Sequence, residues 1–409
     1  MRLKHLFSLR KIPVLFWIIG FAAVACQKTD SLQPVTPPVN PPHDTASNGQ
    51  PAPVADSAMT LYVGRNYSLY ALNAQTGVVK WHTMLGGMVF RSVLYYQGLI
   101  YIATSDSNLI LHAVDTNGRE QWSVNLNPNI GASDIYAANG LIYMATQLSP
   151  PVAYDAKTGA VRWTFHPDSS NVATHGGTLY LSRNVLYFVS NNTLFSIDPG
   201  TGGMIWRIDY RTIILPAITD GKVIVYDYNG YEEAFDRQTT ALLWKLVPAF
   251  YDYYTSTASI SVDAALGNVY AFESNCYDKN DLVEVRDTAT GAMKLTIGMD
   301  EGYTGTINCQ DSLLYISGHL YLYCYNAVNG AFVWQAGLGV AAPYAWPVLD
   351  GVTGVGGTIF YSYDYVYARD GRTSRLIWKT LLEYPDGWCY SVPCVVTKSG
   401  KAFRYGNNF

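Results

Sequence analysis

One motif returns eight times between residues 60 and 380, and it restricts what this chain can fold into more than any other property. Each copy is an apolar β-type run, a turn, a second run ending in Asp or Asn, a turn residue, and an aromatic four residues further on. The first copy reads Leu61–Gly64, then Leu69–Asn73, then Thr76, Gly77 and Trp81. Later copies place the three marker residues at Asp115, Gly118 and Trp122, at Asp155, Gly159 and Trp163, and at Asp198, Gly202 and Trp206. The series continues with Asp236, Thr240 and Trp244, then Asp287, Gly291 and Leu295, where Leu replaces the aromatic. It ends with Asn326, Gly330 and Trp334, then Asp370, Ser374 and Trp378. Successive aromatic positions lie 38 to 51 residues apart. Units of that length, with three or four short strands each, fit the blades of a β-propeller and not the coils of a solenoid.

Each marker has a physical task in such a blade. The Asp or Asn side chain caps the backbone of its own turn, and Gly supplies the positive φ of a tight hairpin. Trp81, Trp122, Trp163, Trp206, Trp244, Trp334 and Trp378 fall on outer strands, where an indole can wedge between neighbouring blades and donate its N–H to a backbone carbonyl. Seven structural wedges are therefore expected, with no catalytic part. The first copy lacks a strand before Leu61, and Tyr390–Thr397 supplies one after the eighth marker, so the C-terminus is expected to complete the N-terminal blade. Residues 401–405 also read as a strand that would duplicate Thr60–Gly64, an overlap the sequence leaves open. The expected product is an all-β, eight-bladed ring over residues 58–409, closed on itself as a monomer.

Composition agrees with this reading. Charged residues make up 14% of the chain, with 35 Gly, 33 Tyr and 10 Trp, which suits short strands and tight turns and excludes a coiled coil or a disordered chain. The 27 basic residues face 31 acidic ones, and the imbalance widens once Arg2, Lys4, Arg10 and Lys11 are removed with the N-terminal segment. Nucleic acid is not the expected partner.

That segment reads as a signal peptide over residues 1–25: basic residues up to Lys11 precede an apolar run, Ile12–Ala25, too short to span a bilayer as a helix. The sequence Ala23-Val24-Ala25-Cys26 resembles the lipobox of bacterial lipoproteins, although Ala23 stands where Leu is usual. Lipidation of Cys26 is the expectation, and plain cleavage leaving an ordinary thiol is the alternative. Residues 26–57 are rich in Pro, Ser, Thr and Asn and read as an extended tether. Five further cysteines, Cys276, Cys309, Cys324, Cys389 and Cys394, sit in a compartment that permits disulfides, their pairing open.

The repeats Ala71-Leu-Asn-Ala-Gln-Thr-Gly77 with Trp81, and Ala153-Tyr-Asp-Ala-Lys-Thr-Gly159 with Trp163, resemble the quinoprotein-type, PQQ-like propeller repeat. The resemblance covers nearly all of residues 60–400 and implies the fold, not the function. Two branches of that superfamily are relevant. Quinoprotein dehydrogenases hold pyrroloquinoline quinone and calcium at the ring centre, and BamB-like lipoproteins of the outer membrane are non-catalytic. The dehydrogenase branch typically carries two adjacent cysteines, and here the closest pair, Cys389 and Cys394, is five apart. The seven histidines show no metal-ligand spacing, and Asp278–Asp281 lacks the rest of a calcium loop. The reading is thus a binding or assembly scaffold at the cell envelope, in the outer membrane or periplasm, without cofactor or metal. A quinone- and calcium-dependent alcohol or sugar dehydrogenase is the alternative.

Four consecutive crossings from an outer strand to the next blade are aromatic and acidic. They carry Tyr251, Tyr253 and Tyr254, then Asp300, Glu301 and Tyr303, then Tyr344 and Trp346, then Tyr384, Asp386 and Trp388. The first three crossings offer only Phe90, Tyr96 and Phe165. This asymmetry predicts a binding crescent over blades five to eight for an envelope protein or a glycan, because exposed Tyr and Trp suit both. The competing expectation is that the same rings fill the centre of the ring.

Overall fold

The computed structural model describes residues 59–404 apart from 127–132, 147–148, 168–176, 191–192, 210–212, 220, 228–231, 247–254, 264–265, 276–280, 300–305, 319–320, 339–350 and 383–390. The described residues form no helix; they form eight antiparallel sheets. Blade one holds β1 (Thr60–Arg65), β2 (Ser68–Asn73) and β3 (Val79–Met84). Blade two holds β4 (Met88–Tyr96), β5 (Leu99–Ser105), β6 (Leu109–Asp115) and β7 (Glu120–Asn125). Blade three holds β8 (Tyr136–Ala138), β9 (Leu141–Met144), β10 (Val152–Asp155) and β11 (Val161–Thr164). Blade four holds β12 (Thr178–Ser182), β13 (Val185–Ser190), β14 (Thr193–Ile197) and β15 (Met204–Asp209).

Blade five is β16 (Ile213–Ile218), β17 (Lys222–Asp227), β18 (Glu232–Asp236) and β19 (Leu242–Leu246). Blade six is β20 (Thr255–Asp263), β21 (Asn268–Asn275), β22 (Asp281–Asp287) and β23 (Met293–Met299). Blade seven is β24 (Ile307–Gln310), β25 (Leu313–Ser317), β26 (Tyr321–Asn326) and β27 (Phe332–Gly337). Blade eight is β28 (Thr353–Val355), β29 (Thr358–Ser362), β30 (Val366–Asp370) and β31 (Leu376–Thr380), and the chain ends in β32 (Cys394–Val396) and β33 (Ala402–Phe403).

In blades one and four the third strand is buried almost throughout and reads as a nearly continuous apolar run, while the outer strand keeps one side wet. A small residue recurs two positions before the turn Asp or Asn: Ala71, Ala113, Ala153, Ser196, Ala234, Cys324 and Ala368. Each pairs directly with the Trp of the next strand, so the indole has room to lie across it. The third and fourth strands then shift register at this point in all eight blades, a bulge that turns the Trp out of its own sheet and toward the next.

The ring closes as expected: β32 pairs with β1, Tyr62 opposite Cys394 and Thr60 opposite Val396. The overlap left open by the sequence resolves without competition. β33 adds to the other edge of β32, giving blade one five strands in the order β3-β2-β1-β32-β33. Since β32 is the inner strand of its blade, β33 lies further in, at the ring centre.

Candidate functional site

The wedges form the best-defined constellation in the molecule. Trp81 Nε1 donates to Thr116 O (2.9 Å), Trp122 to Ala156 O (3.1 Å), Trp163 to Pro199 O (3.1 Å) and Trp206 to Arg237 O (2.8 Å). Trp244 reaches Thr288 O (3.4 Å), Trp334 reaches Gly371 O (3.0 Å), and Trp378 donates to Ala74 O (2.9 Å), which completes the circle. Every acceptor belongs to the turn of the next blade. The turn also offers its glycine to the ring: a Cβ at Gly202 would stand 2.7 Å from Trp163, and one at Gly118 2.9 Å from Trp81. Gly therefore serves twice, through its φ of +72° at Gly202 and through its missing side chain. Thr240 and Ser374 hold the same left-handed conformation with φ of 59° and 60°.

The turns are capped as expected. Asp155 Oδ1 accepts the N–H groups of Lys157 (3.0 Å) and Thr158 (2.9 Å), and Asp198, Asp236 and Asp287 repeat the pattern. Arg162 beside Asp155, with help from Thr158, holds that carboxyl down at about 2, and Lys294 does the same for Asp287, also about 2.

A second aromatic in seven of the eight blades was not recognised in the sequence; blade five has Ile224 in its place. Tyr62, Tyr101, Tyr143, Tyr187, Tyr315 and Phe360 tilt against the Trp of their own blade at 5.8–6.0 Å between ring centres. Tyr101 Oη donates to the carbonyl of Ala156 that Trp122 also uses, and Tyr143 and Tyr315 likewise share Pro199 O and Gly371 O with their Trp. Burial pushes these phenols upward from their ordinary range, so they act as donors throughout physiological pH. Blade six shows the purpose of the pair. Leu295 carries no N–H, and Tyr270 Oη takes Ala327 O alone (3.1 Å). The signal was present as a Tyr at the third position of the second strand, visible at Tyr101, Tyr143, Tyr187, Tyr270 and Tyr315.

The residues proposed for binding lie outside the described residues: Tyr251, Tyr253, Tyr254, Asp300, Glu301, Tyr303, Tyr344, Trp346, Tyr384, Asp386 and Trp388. Cys26 lies outside them too. The topology does place their four segments between β19 and β20, β23 and β24, β27 and β28, and β31 and β32, four successive crossings of the ring. Of the rings set against them, Phe165 is buried core. Tyr96 is not beside a crossing at all: it ends β4 at the opposite face, where its Oη accepts Gly140 N–H (2.8 Å). Cys309, Cys324 and Cys394 are buried free thiols, and no metal-binding group of His, Cys, Asp and Glu occurs among the described residues. His112 is a core residue held by Thr104 Oγ1 and Glu120 Oε1, each at 2.8 Å.

The ring centre holds the chain's own end. Arg404 is buried, its Nη1 donates to Ile135 O beside the inner strand of blade three (2.8 Å), and its guanidinium lies 5.2 Å from the Tyr136 ring. A second buried ionic group joins blades five and six: Arg286 Nε donates to Glu232 Oε1 (3.0 Å) and to Glu284 Oε2 (2.9 Å). Glu232 stands where other blades carry Leu69, Leu111, Leu194 or Leu322.

Comparison with known proteins gives this ring its relatives. Outer membrane protein assembly factor BamB of Yersinia pestis is 24% identical over 63% of this chain and 61% of its own length. The dehydrogenase subunit of the quinone alcohol dehydrogenase of Gluconobacter oxydans is 26% identical over 30% of this chain and 20% of its own length. The chain thus spans between a fifth and three fifths of these relatives. The crystal structure of BamB from Moraxella catarrhalis superposes with a TM-score of 0.50 at 19% identity, covering 68% of this chain and 82% of that one, and shows the shared fold. The family profile of outer membrane protein assembly factor BamB matches residues 31–164 and 151–380, most of the ring, and the chain belongs to that family.

Proposed function

We propose that this protein is a non-catalytic binding or assembly scaffold of the bacterial cell envelope, tethered by a lipid on Cys26 and engaging an envelope protein through the aromatic crossings of blades five to eight. The observation that carries the reading is the occupied ring centre. The dehydrogenase branch uses that space for a quinone and calcium, and here β33 and Arg404 stand in it, tied to blade three. A buried guanidinium there does not fit a calcium site, which needs carboxylate and carbonyl oxygens. The family match and the BamB relatives support the same reading, since the BamB of Yersinia pestis is named for outer membrane protein assembly.

Affinity capture from native membranes tests it. Wild type should retain an envelope protein that Trp346→Ala and Trp388→Ala release, with thermal midpoints unchanged. Stoichiometric uptake of quinone and calcium, with dye reduction by alcohols or sugars, would instead establish the dehydrogenase.

A further inference from the structure

At the seam between blades one and two, a cleft of about 300 Å³ opens over the first wedge. Its aromatic wall is Trp81, Tyr62 and Tyr95, the two tyrosine rings parallel within 2° and 6.3 Å apart. Lys80 and Lys398 line it together with Thr60. The volume is at the small end of ligand pockets, room for one ring and its substituents.

Lys80 is the unusual member. It precedes the wedge Trp directly, and the two cations at the same position in other blades are neutralised by the Asp of their own turn. Arg162 Nη2 meets Asp155 at 2.6 Å, and Lys294 Nζ meets Asp287 at 3.1 Å. Blade one has Asn73 at that place, an amide that caps the turn through Gln75 and Thr76 but brings no charge. Lys80 Nζ instead donates to the hydroxyl of Thr60 (2.7 Å), and no carboxylate among the described residues pairs with it or with Lys398. An ammonium ion without a counter-charge, beside a hydroxyl and the half-buried rings of Trp81 and Tyr95, matches a ligand with one anionic group and one apolar ring face.

We propose that this cleft binds an anionic pyranose, a sugar whose C–H face stacks on the aromatic wall while its carboxylate or phosphate meets Lys80 and Lys398. The Tyr62 ring is the buried member of that wall, its phenol pushed up to about 12 mainly by burial and hydrogen-bonded to Thr60. The site is separate from the crescent and does not depend on the scaffold reading.

Isothermal titration calorimetry on the full ring tests it, with glucuronate, glucose 6-phosphate, glucose and acetate as probes. At least one anionic sugar should bind at least tenfold more tightly than glucose and acetate, and the stronger of the two tells whether carboxylate or phosphate is preferred. Lys80→Gln with Lys398→Gln should lower that affinity at least tenfold. Asn73→Asp should do the same by supplying Lys80 with the carboxylate its counterparts have, and Asp at this position folds in six other blades. Equal binding of glucose and both anions, no binding at millimolar concentration, or full affinity in Asn73→Asp would overturn the proposal.

Discussion

At the residue scale, a blade depends on the meeting of Trp and turn glycine. Trp163 spends its N–H on Pro199 O and its ring on Gly202, so Trp163→Ala removes a hydrogen bond and leaves a cavity between blades three and four. The expected loss is about 3 kcal/mol by urea denaturation. A loss below about 1 kcal/mol would mean that solvent already reaches the ring. Gly202→Ala should cost about 2 kcal/mol, since L-residues pay 1–2 kcal/mol for φ > 0 and the new methyl meets the indole. The same logic reverses at Thr240. A β-branched residue at φ 59° is strained, so Thr240→Gly should raise stability by up to about 1 kcal/mol. These features were readable because turn residue and Trp keep one spacing. The tyrosine partners were overlooked because a Tyr within a strand of aromatic and aliphatic residues looks like ordinary core, and only the shared carbonyl separates it.

At the scale of the element, four turns carry an acid-labile cap. The carboxyls of Asp155, Asp198, Asp236 and Asp287 all lie below their ordinary value, through charged or hydroxyl partners and turn N–H groups. A depressed folded-state value means that the cap stabilises fully above the unfolded carboxyl value near 4 and fades as pH falls toward 2. The thermal midpoint should therefore be flat above about pH 5 and fall between about pH 4 and pH 2. Asp155→Asn should make that fall shallower while leaving the neutral-pH midpoint close to wild type, because Asn73 and Asn326 close equivalent turns without titrating. An identical acid transition in the variant would assign the fall to other groups.

The seam between blades five and six is the element that sequence reading had no means to find. Glu232 and Arg286 are 54 residues apart, and each alone resembles a solvated strand residue. Only the packing of one blade on the next makes them a buried pair. Arg286→Met leaves two carboxylates without their cation and should cost about 3–5 kcal/mol. Adding Glu232→Leu and Glu284→Gln should recover most of that, since leucine already fills the equivalent place in blades one, two, four and seven. If the triple variant is no better than the single one, the ion pair fixes the blade angle as well as satisfying its charges.

At the scale of the whole molecule, closure rests on a short stretch. Ser391 is buried between the ends: its N–H donates to Gly64 O (3.0 Å), its Oγ accepts Gly64 N–H (2.6 Å), and its carbonyl accepts from Ser362 Oγ (2.6 Å). Thr353 Oγ1 adds a bond to Pro393 O (2.7 Å), so the stretch leading into β32 is pinned to blade eight as well as to blade one. β33 contributes differently, two paired residues and the Arg404 reach to blade three, inside a ring already closed. Two truncations separate these roles. Ending the chain after Lys398 keeps β32 and should lower the thermal midpoint by only about 2–6 °C, the effect of 1–2 kcal/mol in a domain of this size. Ending it after Tyr390 removes the inner strand of blade one, exposes the edge of β1 and uncovers Leu61 and Val63. A ring of repeats stabilised by nearest neighbours then becomes an open array, whose end blade lacks a covering face. Its unfolding should lose the single cooperative transition, blade one exchanging amide protons ahead of blades three and four. A shorter chain that still unfolds in one step at the wild-type midpoint would show that the wedge from Trp378 to Ala74 closes the ring without the strand.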